Sequence, residues 1–460
     1  MTVDAASKAI NQQWFDYIKS LAGDAAGGSR IVFPCIRDTR APLAGRGVPE
    51  PVTNDAMYVI GNSLLTEDNV WYTPSRVAGY IEEQQTYLNH VVLNCDSSAD
   101  KLSALATAKK DMDDNARDFR KTNAAARKEW RKSQKDESSN FNAYILQSYP
   151  ELPSARDRMQ SSANAYNTQY AAVYGRSAAQ LNIYRNRLNT ILANLMLPGY
   201  TMQAIANHSL FSLESYIDDL RAGNPSTATP VTAGVIDVAS YRYDPAYADT
   251  LDQWNRDFPT SGYNHMVEFT SDTGNNARYQ SKNERSIEAE ASFGLFCWLR
   301  IKYTDNEEWS NSTATSKKGR LTVKFETKHQ QVFTIAPGNW DVPGYRRLFP
   351  NVSDDLPKRA EKTVKPISMI CASGVKYTIK FENEARETFD GEYEKVRKAS
   401  GRLSIFGIDV GVSYAPNKDK DGTHKASYDK DKGELTVEPT AYAGTCTLLA
   451  MIGVKTDAEQ

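Results

Sequence analysis

Residues 102–144 read LSALATAKKDMDDNARDFRKTNAAARKEWRKSQKDESSNFNAY, a stretch that contains neither glycine nor proline. Alternating steps of three and four residues connect one stripe of positions along it, which is the spacing of a coiled-coil helix. The stripe consists of Leu102, Leu105, Lys109, Met112, Ala116, Phe119, Asn123, Ala126, Trp130, Ser133, Glu137, Asn140 and Tyr144. At 1.5 Å per residue, the predicted helix is about 65 Å long.

A second stripe follows the turn at Tyr149-Pro150-Glu151-Leu152-Pro153. Its positions are Met159, Ala163, Tyr166, Tyr170, Val173, Ser177, Leu181, Tyr184, Leu188, Ile191 and Leu195. Since proline cannot continue a helix and the connection is short, we expect two antiparallel helices, a long helical hairpin over residues 101–197. Polar residues such as Asn123 and Glu137 interrupt the first stripe, so we expect the hairpin tip near 133–153 to be its loosest part.

The hydrophobic period changes near Pro225, from helical spacing before it to strand-like alternation after it. This change predicts an α+β multidomain fold, with an elongated helical bundle over residues 1–224 and an antiparallel β-sandwich or barrel-like domain over residues 225–460. Residues 23–73 are rich in Gly, Pro and Asp and predict an irregular segment. Its apolar islands, 31–33 and 57–60, are expected to pack onto the helices.

Two stretches of the second domain resemble each other, 285–340 and 398–455. In each, a strand with Ser, Phe and Gly leads through a polar hairpin into Gly-x-Leu-Thr-Val, at Gly319–Val323 and Gly433–Val437. An internal hairpin duplication is one interpretation, and convergence of short strand motifs is the other.

Composition excludes several classes of protein. The 55 Lys and Arg residues nearly balance the 57 Asp and Glu residues, so no charge-driven partner is indicated for the whole molecule. No apolar run reaches the ~20 residues of a membrane helix, and the N-terminus has no secretion signal. The five cysteines form no CxxC pair, which favours reduced thiols. We therefore expect a chain that is cytoplasmic as synthesised.

No motif predicts a cofactor, a metal site or a catalytic residue. The five histidines form no HExxH or HxH pattern, and His265 and His329 would meet only if the fold brought their strands together. The segment Asn417–Gly422 begins like a calcium loop, but Tyr428 stands where the bidentate Glu is required.

Two candidate binding features remain. The first is a turn-rich loop whose aromatic and arginine side chains suit target contact, namely Trp340, Tyr345, Arg346 and Arg347. The second is a basic helix face with Arg120, Arg127, Lys128, Arg131 and Lys135. A loop fixed to its own core and a solvated helix face are the simpler interpretations of the two. The basic face suits an anionic membrane better than nucleic acid, because no nucleic-acid-binding module accompanies it.

Three functions stay open at this stage. The first is a membrane-active protein, which would account for the hairpin and the basic face. It would be like pore-forming toxins, which pair a helical bundle with a β-rich recognition domain. An enzyme with a pocket between the helical and β regions is the first alternative. The second alternative is a rod-like scaffold. Formation of a homo-oligomer through the 102–144 stripe would support it.

Overall fold

The computed structural model describes residues 5–23, 29–45, 48, 50–69, 71–72, 79–93, 98–133, 145, 148–193, 202–203, 235–236, 241–271, 298–304, 308–406, 408–412, 424–439 and 446–456. The helices are α1 (Ala5–Ala22), α2 (Glu50–Gly61), α3 (Tyr80–Asn89), α4 (Ala99–Ser133), α5 (Glu151–Tyr174), α6 (Ala179–Ala193), α7 (Tyr247–Asp257), α8 (Tyr345–Leu348), α9 (Lys358–Glu361) and α10 (Glu384–Lys398). The strands are β1 (Arg30–Arg40), β2 (Leu65–Thr66), β3 (Met202–Gln203), β4 (Val235–Ile236), β5 (Tyr241–Tyr243), β6 (His265–Thr270), β7 (Leu299–Lys302), β8 (Ser310–Asn311), β9 (Leu321–Thr327), β10 (His329–Pro337), β11 (Thr363–Ser373), β12 (Lys376–Phe381), β13 (Arg402–Ile405), β14 (Ile408–Gly411), β15 (His424–Asp429), β16 (Glu434–Pro439) and β17 (Thr447–Lys455).

The strands form three antiparallel sheets and one short two-stranded ladder. Sheet 1 has the order β1-β17-β11-β10-β5, with β2 also pairing with β11. Sheet 2 has the order β15-β16-β12-β9-β6, and sheet 3 the order β14-β13-β7-β8. The fold is therefore mixed α+β, as predicted, and no closed barrel is found among the described strands.

Sheet 1 is buried on both faces, which explains the nearly continuous apolar sequence of its central strand β11. Met369 and Cys371 on one face belong to a hydrophobic cluster with the helices α2 to α7. Ile370 and Ala372 on the other face belong to a second cluster with sheets 2 and 3, α1 and α10. The chain thus places helices on one side of sheet 1 and the other two sheets on its opposite side.

Helix α4 packs along α5 through one stripe of side chains. Leu105, Met112, Phe119 and Ala126, spaced seven residues apart, are buried, while the positions between them, apart from the buried Asn123, are exposed or half-buried. The two helices run antiparallel, and Arg158 Nη2 of α5 lies 2.8 Å from Asp118 Oδ2 of α4. The hairpin tip predicted near residues 133–153 falls largely outside the described residues, which resume at 145.

The predicted second long helix is interrupted. A 3-10 turn over Gly175–Ala178 separates α5 from α6. Helix α6 then folds back along α5, because Asn186 of α6 accepts a hydrogen bond from Asn167 of α5, and Asn182 Nδ2 donates to the Asn167 carbonyl at 3.4 Å. The second helix predicted from the stripe between Met159 and Leu195 is therefore not continuous. Gly175, with φ 59°, supplies the reversal.

The segment predicted to be irregular, residues 23–73, contains regular structure. Its first apolar island, residues 31–33, lies in β1, which pairs with the C-terminal strand β17 from Arg30 opposite Val454. Its second island, residues 57–60, lies in α2. The N-terminal part of the chain therefore contributes strands to sheet 1, and the division at residue 225 stays a prediction.

The two Gly-x-Leu-Thr-Val segments lie on either side of one strand. Ile379 of β12 pairs with Val323 of β9 on one side and with Leu435 of β16 on the other. Residues 291–295, the first strand of the first proposed copy, lie outside the described residues. The internal duplication therefore stays a prediction.

Candidate functional site

The loop predicted to contact a target is anchored in the protein interior. Trp340 is 2% exposed, and its ring lies between those of Tyr80 and Tyr241, with centroids 6.0 and 5.6 Å away. Tyr345 is also buried, with its ring 4.9 Å from that of Tyr87. Burial of these large rings stabilises the loop, so neither ring is available to a target unless the loop opens.

The two arginines of this loop have different surroundings. Arg346 is half-buried and donates from Nη2 to the Ala360 carbonyl at 2.9 Å. Its guanidinium also lies over the ring of Tyr87, with Cζ 5.7 Å from the ring centroid. Arg347 is exposed. Of the four residues predicted to bind a target, Arg347 is therefore the one whose side chain already faces solvent.

Asp341, next to Trp340, collects three donors from two other elements. Its Oδ1 accepts from Tyr80 Oη at 3.0 Å and from Gln84 Nε2 at 2.8 Å, both on α3. Its Oδ2 lies 2.5 Å from Lys365 Nζ on β11. The side chains of Lys365 and Asp341 are only 11% and 7% exposed, and a buried pair holds only when its geometry is good. The cluster ties the loop to α3 and to sheet 1.

Tyr241 borders the same cluster. Its side chain is fully buried, and no hydrogen-bond partner for its hydroxyl is found within the described part of the chain. Burial and the negative charge of Asp341 raise the pKa of Tyr241 well above its ordinary value, so the hydroxyl stays protonated at neutral pH. A carboxylate, an ammonium group and neutral phenols therefore lie close together, which are groups used in acid–base chemistry.

Helix α3 carries two further acids, Glu82 and Glu83. Glu83 is 1% exposed, and its Oε1 lies 2.8 Å from Arg359 Nε. Burial raises the pKa of Glu83, although the positive charges of Arg359 and Arg120 oppose this. Burial also raises the pKa of Glu82, whose carboxylate accepts a hydrogen bond from Asn62 Nδ2 at 3.2 Å. Both carboxyl groups are therefore costly to keep ionised in the folded protein.

The predicted basic face lies on the distal half of α4. Arg120 and Lys128 are exposed. Arg127 and Arg131 lie within α4, but their side chains are outside the described part of the structure, and so is Lys135. The Arg120 guanidinium is partly desolvated and lies near Arg359, and both effects lower its pKa. Glu82 and Glu83 of α3 also act on the Arg120 pKa, so these acids lie near one end of the basic face.

Other basic residues of α4 are paired differently along the helix. Lys110 and Arg117 both contact Asp114, at 3.2 and 2.9 Å. Lys121 and Lys128 lie further along the helix and are exposed, and neither makes an ion pair with a described residue. Two positive side chains seven residues apart are therefore presented to solvent on one side of the distal helix.

Metal ligation receives no support from the described residues, in which no group of three or more His, Cys, Asp or Glu side chains is placed to hold an ion. The structure does bring His329 of β10 close enough to His265 of β6 for its charge to lower the His329 pKa. None of the described helices is both long and apolar enough to cross a bilayer.

Sequence reasoning missed two features. The buried stripe of α6 passes through Leu181, Arg185 and Leu188, while Tyr184, which was assigned to the stripe, is only half-buried. An arginine on an apolar stripe is the signal that was overlooked. Two of the three partners of Asp341, Tyr80 and Gln84, had no signal, because they lie more than 250 residues away on α3.

Comparisons with protein-family models, with curated proteins and with solved structures found no match to this chain.

Proposed function

We propose that this protein is membrane-active: the α4–α5 pair contacts an anionic membrane surface and rearranges there, while the β-rich region recognises a target, as in pore-forming toxins. In this proposal, helices α3 to α6 act as an elongated bundle and sheets 1 and 2 as a β-sandwich. Recognition falls to exposed residues such as Arg347 and to the outer face of sheet 2.

The attachment of α4 carries the proposal. In the described part of the chain, α5 is the element against which α4 packs over its length, and the remaining α4 surface is exposed or half-buried, with Lys109 Nζ 3.3 Å from Asp355 Oδ2. Leu105 and Met112 are the buried α4 side chains in the main hydrophobic cluster, so the distal half of the helix can separate without disturbing that cluster.

The distal half of the pair has a hydrophobic cluster of its own. Its buried members are Phe119, Ala126, Ile145, Leu152, Ala155 and Met159. Only four of these are large, and each large apolar side chain contributes about 1.5–3 kcal/mol on burial. This part of the hairpin is therefore held by much less apolar surface than sheet 1.

Reversible cross-linking of the hairpin tests the proposal. Cysteines introduced by Asp118→Cys and Arg158→Cys would be joined by a short bifunctional methanethiosulfonate and released by dithiothreitol. We expect the wild-type protein to release dye from phosphatidylserine vesicles, the cross-linked variant to release none, and reduction to restore release. Wild-type protein treated in the same way is the control. Intact vesicles of every lipid composition tested, at every pH, would refute the proposal.

The basic face has its own matched test. Each basic residue close to an anionic membrane contributes about 1 kcal/mol to binding. Lys121→Gln with Lys128→Gln is therefore expected to weaken vesicle binding about thirtyfold, and 0.5 M salt should remove most of the difference. Lys101→Gln with Lys110→Gln removes the same charge from the other end of α4. Equal losses in the two double variants would show that the distal face is not the binding surface.

A second candidate function is an enzyme with its site between the helices and sheet 1. The observation that favours it is the Asp341 cluster with Lys365 and Tyr80, beside a Tyr241 hydroxyl that has no hydrogen-bond partner among the described residues. A metabolite bound there would raise the melting temperature by mass action. The rise should disappear in Lys365→Met and persist in Lys362→Met, which removes an exposed lysine paired with Asp68. The scaffold alternative and the homo-oligomer remain predictions for analytical ultracentrifugation.

A further inference from the structure

Arg185 of α6 is a fully buried cation. Its exposed fraction is 0%, and no described carboxylate lies within ion-pair distance of it. Its Nε and Nη2 donate to the Leu88 carbonyl at 2.9 and 2.6 Å. No hydrogen-bond partner for Nη1 is found among the described residues. Among the described residues, the groups that contact this charge are therefore neutral.

Those neutral groups belong to two other helices. Leu88 lies in the last turn of α3, where carbonyls lack helical partners and carry the negative end of the helix dipole. The rings of Tyr170 and Tyr166 on α5 lie 4.0 and 5.1 Å from Arg185 Cζ, as in cation–π contacts. A single guanidinium thus joins α6 to α5 and to the end of α3.

The two tyrosines complete the junction. Tyr166 Oη donates to the Asn89 carbonyl at 3.4 Å, and Tyr170 Oη donates to the Val91 carbonyl at 3.3 Å. The end of α3 therefore accepts hydrogen bonds from both helices of the α5–α6 pair, and Arg185 lies at the centre of the contact.

Making this contact with a charged side chain has a free-energy cost. Desolvating a cation costs several kcal/mol, and apolar replacements for buried charged groups are often more stable than the originals. When the helices separate, an arginine regains its hydration, whereas an apolar side chain in the same place would lose its burial energy. A buried arginine without an acid therefore holds the closed state less tightly than methionine would, and it lowers the cost of opening.

We propose that Arg185 is a releasable clasp between the α5–α6 pair and the C-terminal end of α3. This inference rests on the proposed rearrangement of the helical region. The seam between these helices has the same character, because side-chain amides pair across it: Asn167 with Asn186, and Gln85 of α3 with Asn189 of α6. Side-chain amides also regain hydration when the helices separate, so these pairs, like Arg185, lower the free-energy cost of opening the junction.

Hydrogen exchange measured by mass spectrometry, without any membrane, tests the clasp. Arg185→Met keeps the length of the side chain and removes the charge. The Leu88 carbonyl keeps a donor in that variant, the Val91 amide at 3.4 Å. We expect exchange in residues 151–193 to slow about tenfold or more, with no change in α10, which belongs to the other hydrophobic cluster. Faster exchange in residues 151–193, or exchange at the wild-type rate, would overturn the clasp.

Two further variants keep the result decisive. If Arg185→Met does not fold, Arg185→Gln removes the charge and still offers a donor to Leu88; slower exchange than wild type supports the clasp, and equal or faster exchange overturns it. Arg185→Lys keeps the charge but loses the paired donors, and the clasp predicts faster exchange. Dye release is read separately: vesicles that stay intact with the wild-type protein refute the membrane function, whereas the exchange rates decide the role of Arg185.

Discussion

The backbone of Gly61, the last residue of α2, lies against the ring of Tyr241 on β5. A β-carbon at Gly61 would be 2.3 Å from Cδ1 of that ring, which is closer than non-bonded carbon atoms approach each other in proteins. The ring itself is held by Trp340 and Tyr58 and cannot retreat. We therefore expect Gly61→Ala to lower the free energy of unfolding by about 2–4 kcal/mol, measured by chemical denaturation.

Gly391 provides the matched control for this substitution. It lies inside α10, and a β-carbon there would meet nothing within 4 Å. Alanine favours a helix interior by about 0.5–1 kcal/mol over glycine, so Gly391→Ala should stabilise the protein. If both variants lost stability equally, the close packing of Gly61 on Tyr241 would not be the cause.

The helical stripe shows what residue spacing can and cannot predict. Leu105, Met112 and Phe119 are buried as their spacing requires, because a helix that packs on one neighbour buries one face. The reversal after Tyr174 is invisible to the same reasoning, since the stripe continues from Val173 to Leu181 in steps of four across the turn. Only Gly175 marked the place, and a single glycine is tolerated in many helices.

Gly175 therefore has a testable role of its own. Its φ of 59° and ψ of −136° lie outside the regions that other residues adopt easily, while a β-carbon there would meet open space. Strain of the backbone alone predicts that Gly175→Ala costs about 1–3 kcal/mol. Circular dichroism should show unchanged helix content together with an earlier unfolding midpoint. An unchanged midpoint, or added helix from a straightened α5–α6, would contradict this account.

The sheet and the candidate site depended on contacts that no local pattern contains. The mixed α+β class followed from the change of period, but the pairing of β1 with β17 joins the two ends of the chain, Arg30 with Val454. Nothing in the short apolar island of β1 predicts which strand it pairs with. In the same way, Trp340 was noticed as an aromatic residue in a loop, yet its burial depends on Tyr80 and Tyr241, which come from distant segments.

Glu83 should respond to pH in a defined direction. Burial raises its pKa in the folded protein above the ordinary 4.5, so its ionisation opposes folding. Its favourable contribution is present below pH 4.5 and is lost as the pH rises through the higher folded-state pKa. We therefore expect Glu83→Gln to raise the melting temperature at pH 7.5 and to leave it unchanged at pH 4.

Glu326 on β9 serves as the control, because its pKa is shifted in the opposite direction. Burial opposes its ionisation, but Lys324 and Lys376, whose ammonium groups lie 2.9 and 3.2 Å away, outweigh this and lower its pKa. Its contribution is present above pH 4.5 and is lost as the pH falls. Glu326→Gln should therefore lower the melting temperature at pH 7.5. If Glu83→Gln did the same, its ion pair with Arg359 would outweigh the cost of burial.

His329 makes the described part of the protein sensitive to mild acid. Its ring stacks on Trp254 of α7, with centroids 5.6 Å apart and planes 10° from parallel, and its Nε2 has no described partner. Burial lowers its pKa below 6.5; Asp257 opposes this, while the positive charges of Lys328 and His265 reinforce it. Because the unfolded chain binds the proton more readily, stability is lost as the pH falls below about 7. The melting temperature of His329→Gln should therefore approach that of the wild-type protein between pH 7 and pH 5, since the variant lacks this proton. The carboxyl groups of Glu82 and Glu83 act in the opposite direction and are common to both proteins, so the difference between the two melting curves isolates the histidine. A difference that is constant with pH would show that the pKa of His329 is the same in the folded and unfolded states, and would contradict this account.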